Sequence, residues 1–193
     1  MSGPRIARIA VFAALIAVLG LTPAINVPSI SVPITAQTLG VMLAGLMLVP
    51  VEAFLSVALF VGLVAAGLPL LSGGRGGLTV LTGPSAGFLL GFPVAALATS
   101  LVAMGLAAAG IERAAQPLQV AGSFVAAVLG GIVVLYAIAI PLGAAIGDLP
   151  LDTFFHASMT FVPGDLVKAG AATVVAVSAF RAAPFLRPQL ART

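Results

Sequence analysis

The chain has 193 residues, of which 61% are hydrophobic and only 7% charged, with a formal net charge of +3. Soluble domains carry roughly 25% charged residues, so this composition describes a polytopic membrane protein. It excludes a nucleic-acid surface, because no basic cluster exists, and the lack of cysteine excludes disulfides, thiolate metal ligands and a cysteine nucleophile.

At roughly 20 residues per helical span, the expected fold is an all-α integral membrane protein, one domain over residues 1–193 built as a bundle of six transmembrane helices. Arg5 and Arg8 precede an apolar run from Ile9, an arrangement that mimics a signal peptide. Everything after it is equally apolar, so it reads as the first span, about Pro4 to Leu21. Three prolines keep the linker from Thr22 to Pro33 out of a helix, and its apolar side chains suit a cover lying against the protein. The second helix is predicted from about Thr35 to Leu48, short for a full crossing. A turn at Val49-Pro50-Val51-Glu52 leads into the third, about Ala53 to Leu68.

The glycine-dense loop Gly73-Gly74-Arg75-Gly76-Gly77 follows, with one charge in its middle. Its glycines permit close backbone approach to a ligand, or movement as a lid. The fourth helix is expected from about Pro84 to Ala109. The fifth runs from about Pro117 to Ile146, kinked near Pro141. The connection from Gly147 to Thr160 holds Asp148, Asp152 and His156, with a short helix in its second half. The sixth helix starts at Phe161-Val162-Pro163-Gly164-Asp165 and ends near Arg181, before a polar tail with Arg187 and Arg192.

An even number of spans puts both termini on one side, together with Arg113 and Arg181. That side then holds six of the eight basic residues and is cytoplasmic by the positive-inside rule. Arg75 and Lys168 fall on the external side, as do Asp148, Asp152 and Asp165. Lys168 also opposes the helix dipole, since a cation is disfavoured in a first turn, whereas Asp165 suits an N-cap or first-turn position. Two explanations stand: an i,i+3 ion pair with Asp165, or an anionic ligand. Taken together, Arg75, Asp165 and Lys168 carry one net positive charge, which suits a small monoanion. Thr35, Gln37 and Thr38 open the second helix. Thr35 serves as an N-cap, while the amide of Gln37 requires a partner, either a ligand's polar edge or a neighbouring helix. Spacings of four on the first helix (Ala10 with Ala14, Ala13 with Ala17) permit close approach of a partner helix.

Catalytic patterns fail on context. Gly83-Pro84-Ser85-Ala86-Gly87 matches Gly-x-Ser-x-Gly literally, yet that motif needs a strand-turn-helix, and the only histidine is His156. No metal-ligand cluster is present. The glycine loop lacks the Gly-Lys-Ser/Thr ending of a nucleotide-binding loop. The expectation is no enzyme, no cofactor and no ATP hydrolysis by this chain.

Val32-Pro33-Ile34-Thr35-Ala36-Gln37-Thr38-Leu39-Gly40, then Gly-Gly-x-Gly-Gly with Gly83-Pro84-Ser85-Ala86-Gly87-Phe88, then Pro163-Gly164-Asp165-x-x-Lys168 occur in that order. The set resembles the BioY family, the biotin-binding S components of energy-coupling factor (ECF) transporters, from Arg5 to about Ala183. The resemblance implies a six-helix bundle in a prokaryotic cytoplasmic membrane with both termini inside, and a biotin site near the external face. It also implies a transmembrane coupling protein (the T component) and two cytoplasmic ABC-type ATPases as partners, met partly through small residues of the first helix. By this resemblance Asp165 accepts from the ureido N–H groups of biotin, with Gln37 or Thr35 completing that edge. Lys168 and Arg75 pair with the carboxylate, unless Lys168 instead orients Asp165. Phe88 and Leu81 pack the thioether ring. The family commonly has Thr-Gly-Gly-Tyr where this chain has Ser85-Ala86-Gly87-Phe88, so a ring hydroxyl is absent, and the charge in the glycine loop varies. A stand-alone carrier for biotin or another small carboxylate is the competing reading.

Overall fold

The computed structural model describes residues 3–22 and 35–188. Nearly all of the expected linker lies outside them, and with it Val32-Pro33-Ile34 of the first motif, as does Arg192. The described residues form seven helices: α1 (Gly3–Gly20), α2 (Gln37–Met47), α3 (Pro50–Ala65), α4 (Ala86–Ala108), α5 (Gln116–Gly147), α6 (Leu151–Met159) and α7 (Val162–Ala182). The expected count of six is therefore corrected to seven. The seventh, α6, is the short helix expected in the connection after α5, and it begins earlier than expected, at Leu151. Its nine residues rise only about 14 Å at 1.5 Å per residue, too short to cross a bilayer. Four helices, α1, α4, α5 and α7, are long and apolar enough to span, and α2 and α3 are shorter apolar helices of 11 and 16 residues.

Local chemistry explains the boundaries that moved. The third helix begins at Pro50 rather than Ala53, because proline at the first helical position loses no hydrogen bond and has its φ preset. Ser100 Oγ donates to the carbonyl of Leu48 at 2.6 Å where α2 ends. α5 continues through Pro141, and residues Leu129–Val134 within it form a π-helical segment that the hydrophobic pattern does not announce. α7 starts at Val162, with Phe161 as its N-cap; Asp165 is a first-turn acid and not the cap.

α4 packs against α2, α3 and α5, with α2 and α5 also meeting α7 and α1 closing on α2 and α3. α1 turns Ile9, Ala13, Ile16 and Gly20 inward, one helical stripe, and leaves Ala10 and Ala14 exposed. Close approach of α4 and α5 requires Gly87: a Cβ there would collide with the carbonyl of Ala139 and with Gly143. The exterior is apolar, with Val11, Val18, Leu101, Val133 and Val174 exposed, while Thr99, Ser100, Asp165 and Thr173 are buried. That inverts the soluble pattern and matches a protein whose outer solvent is lipid.

Candidate functional site

At the end of the bundle where α1 finishes, the N-termini of α2, α4 and α7 converge. Between them lies a small cavity of about 70 Å³. Thr35, Gln37 and Thr38 reach it from α2 and the residues before it. Leu71 and Arg75 come from the loop, Ser85, Phe88, Leu89 and Phe92 from α4 and its lead-in, and Phe161, Asp165 and Lys168 from α7. All six residues singled out from the sequence, Thr35, Gln37, Arg75, Phe88, Asp165 and Lys168, thus line one cavity, whereas Leu81 does not. Three helix N-termini also aim their positive dipole ends at it.

The carboxylate of Asp165 is 3% exposed and already well solvated by protein. Its Oδ1 accepts from Thr38 Oγ1 at 2.9 Å and from Lys168 Nζ at 2.8 Å, and its Oδ2 accepts from the Tyr136 hydroxyl at 2.7 Å. Oδ1 is saturated; Oδ2 keeps one lone pair. Lys168 Nζ donates a second hydrogen bond, to Thr38 Oγ1 at 3.0 Å. An ammonium has three N–H bonds, so one is left without a partner among the described residues, on a side chain that lines the cavity. The ion pair explains how Lys168 is tolerated in the first turn, and the unspent N–H leaves it capable of a ligand contact as well.

Gln37 is 3% exposed, and its Nε2 has no hydrogen-bond partner among the described residues. A buried donor left this way costs about 1–3 kcal/mol unless a ligand supplies an acceptor. Thr35 stands one residue before the N-cap position, held by Ala36, so its expected capping role is corrected. Its Oγ1 accepts only a long bond from the Gln37 N–H at 3.4 Å.

The glycine loop is folded rather than slack. Leu71 and Arg75 pair across a tight turn whose Gly73 and Gly74 have φ of 75° and 69°, and the Gly77 N–H bonds the Val64 carbonyl at 2.7 Å. Gly76 sits so close to the Leu68 carbonyl that no side chain fits there. This geometry presents Arg75 at the rim. Its Nε donates to the Ser72 carbonyl at 3.2 Å, and its two Nη groups make no hydrogen bond among the described residues. Phe88 is the hub of an aromatic cluster, edge-on to Tyr136 at 5.5 Å, Phe161 at 5.8 Å and Phe154 at 6.5 Å.

Two polar members go beyond what the sequence assigns. Thr38, which from the sequence only opens the second helix, bridges Asp165 and Lys168. Tyr136 has no role in the sequence expectations; the signal for it is that a lone tyrosine in an apolar helix requires a hydrogen-bond partner. Ser85 lines the cavity but His156 lies exposed on α6, away from the cavity wall, so the Gly-x-Ser-x-Gly pattern assembles no triad.

A sequence profile described as the BioY family matches residues 1–185. A protein of Rhizobium etli named as a biotin transporter BioY is 43% identical over 175 residues, covering 91% of this chain and 92% of that protein. A probable biotin transporter BioY of Bacillus subtilis is 44% identical over 170 residues, covering 88% and 87%. Among solved structures, the S component for biotin from an ECF-type ABC transporter superposes with a TM-score of 0.83 at 27% identity, covering 94% of this chain and 95% of that one.

Proposed function

As the chain belongs to the BioY family, a family of transporters rather than enzymes, we propose that it is the biotin-capturing S component of an ECF transporter in a prokaryotic membrane. The observation that carries this reading is the polar wall of the cavity: a neutralised Asp165–Lys168 pair with one unspent N–H, the unpartnered amide of Gln37, and an unneutralised Arg75 at the rim.

Biotin presents the complementary groups. Its ureido carbonyl accepts from Lys168 and from Gln37 Nε2, and a ureido N–H takes the lone pair left on Asp165 Oδ2. Phe88, Phe92 and Phe161 pack the thioether ring. Asp165 already balances the charge of Lys168, so the cation available to the carboxylate tail is Arg75, whose guanidinium fork matches it. Three helix N-termini add to the same preference for an anion, in a site where exclusion of water strengthens each contact.

Orientation follows from charge. Arg5, Arg8, Arg113, Arg181 and Arg187 lie at the end of the bundle opposite the cavity, which the positive-inside rule makes cytoplasmic. Both termini are then inside and the cavity opens outward, with the six helices other than α6 embedded in the membrane. The chain has no nucleotide-binding loop, so release into the cell depends on a transmembrane coupling protein and two ATPases.

Labelled-biotin binding by the purified chain tests the reading, beside Lys168→Ala and Asp165→Asn. Tight binding by the wild type and marked loss in both variants are expected. A wild type that does not bind, or variants that bind undiminished, sinks the site. Uptake into vesicles that needs ATP and the coupling subunits is expected; uptake by the chain alone would make it an independent carrier.

A further inference from the structure

We infer that Tyr136 is a positioning residue of this site, acting on the ligand through Asp165, and that it doubles as the protein's intrinsic optical reporter of the site's state. The inference rests on the biotin reading above for its ligand.

Tyr136 is 5% exposed and is not among the residues that line the cavity. Its hydroxyl instead donates to Asp165 Oδ2 from behind, at 2.7 Å. Both other donors, Thr38 and Lys168, hold Oδ1. Tyr136 is therefore the only described group that fixes Oδ2. Without it the carboxylate is free to turn, and the Lys168 ammonium can move towards Oδ2, carrying its unspent N–H away from the cavity. Two features aim the ring. The edge of Phe88 meets it at 89°. The π-helical segment Leu129–Val134, immediately before it, advances the register by one residue, about 100° of rotation, and so sets which face of α5 Tyr136 occupies.

The chain contains one tyrosine and no tryptophan. Its near-ultraviolet emission above the phenylalanine band therefore comes from Tyr136 alone. A phenol bonded to a carboxylate loses its excited-state proton and emits weakly, so the emission reads the Tyr136–Asp165 bond directly.

The test uses the full chain in detergent micelles as wild type, Tyr136→Phe, Asp165→Asn and the double variant, with labelled biotin as the probe. Tyr136→Phe keeps the ring and should weaken binding about tenfold. In the Asp165→Asn background the same change should cost less than about twofold, because its route to the ligand is gone. Asp165→Asn should also brighten tyrosine emission in the ligand-free protein. Undiminished binding by Tyr136→Phe, or an equal loss in both backgrounds, overturns the proposal. So does emission that Asp165→Asn leaves unchanged, whatever the wild type binds. A wild type that ignores biotin while Asp165→Asn brightens emission sinks the biotin reading instead, with the hold of Tyr136 on Asp165 intact.

Discussion

Two acidic side chains are buried among the described residues, one at each end of the bundle, and each is 3% exposed. Glu52 accepts from Arg5 Nε at 3.0 Å and from both Nε and Nη2 of Arg8, at 2.9 and 2.8 Å, which ties α1 to α3. The guanidiniums of Arg5 and Arg8 are about half exposed, so they keep their own water and need no further partner. Asp165 is held by Thr38, Tyr136 and Lys168, all turned inward beside a cavity, and Lys168 has an N–H to spare. The difference teaches that burial of a carboxylate does not mark a binding site. What marks it is whether the donors around the carboxylate are spent.

The comparison breaks most readily at Lys168. Lys168→Met strands Asp165 in the cavity, a loss of about 3–5 kcal/mol for a buried pair deprived of one partner. Labelled-biotin binding should weaken more than about 100-fold. The matching change at the other end, Arg5→Ala with Arg8→Ala, strands Glu52 and should lower the melting temperature by several degrees. Biotin affinity should stay within about twofold, because additivity holds for distant sites. Equal loss of biotin binding from both ends would erase the distinction.

Gly87→Val is the next largest effect. The new side chain drives α4 away from the Ala139 carbonyl and Gly143 on α5, an overpacking cost of about 1–3 kcal/mol. It should depress melting temperature and biotin affinity together, since Phe88 and Tyr136 flank that contact. Arg75→Ala should weaken biotin about tenfold and leave biotin methyl ester unaffected, as the loss of one charge-assisted contact to the carboxylate predicts. Parallel titrations of acid and ester decide it, and an equal loss for both ligands would remove Arg75 from the carboxylate.

The smallest effect carries opposite signs. Gln37→Met removes a buried amide donor with no partner among the described residues, so thermal stability should rise by about 1 kcal/mol. Biotin affinity should fall about fivefold, because the same donor is then missing from the complex. Glu52 offers the contrast: all of its partners are already engaged, so Glu52→Gln should lower stability without touching affinity.

Much of the site is legible in the chain. Lys168 stands out because it opposes a helix dipole three residues after an acid, and Arg75 because it is a lone charge among glycines. Gln37 stands out because an amide in an apolar helix demands a partner. These are local conflicts between a residue and its expected surroundings, and a local conflict can be read without coordinates. Thr38 poses no such conflict, since a threonine near a helix start is ordinary. Tyr136 poses a weak one, a hydroxyl in an apolar run that needs a partner, but nothing local names that partner: the carboxylate that Thr38 and Tyr136 bond lies 127 and 29 residues away.

The same division holds for the fold. Composition and the lengths of the apolar runs determine an all-helical membrane protein and place most helix ends, because desolvated backbone must bond within its own helix. They do not announce that α6 begins as early as Leu151, nor the π segment of α5 or the folded glycine loop, which depend on contacts made elsewhere: Phe154 is buried against Gly143, and Gly76 against the Leu68 carbonyl. Sequence alone made Lys168 an anomaly with two explanations. Only the tertiary structure decided for the ion pair, because three bonds converge on Asp165 and Lys168 spends two of its three N–H bonds on Asp165 and Thr38.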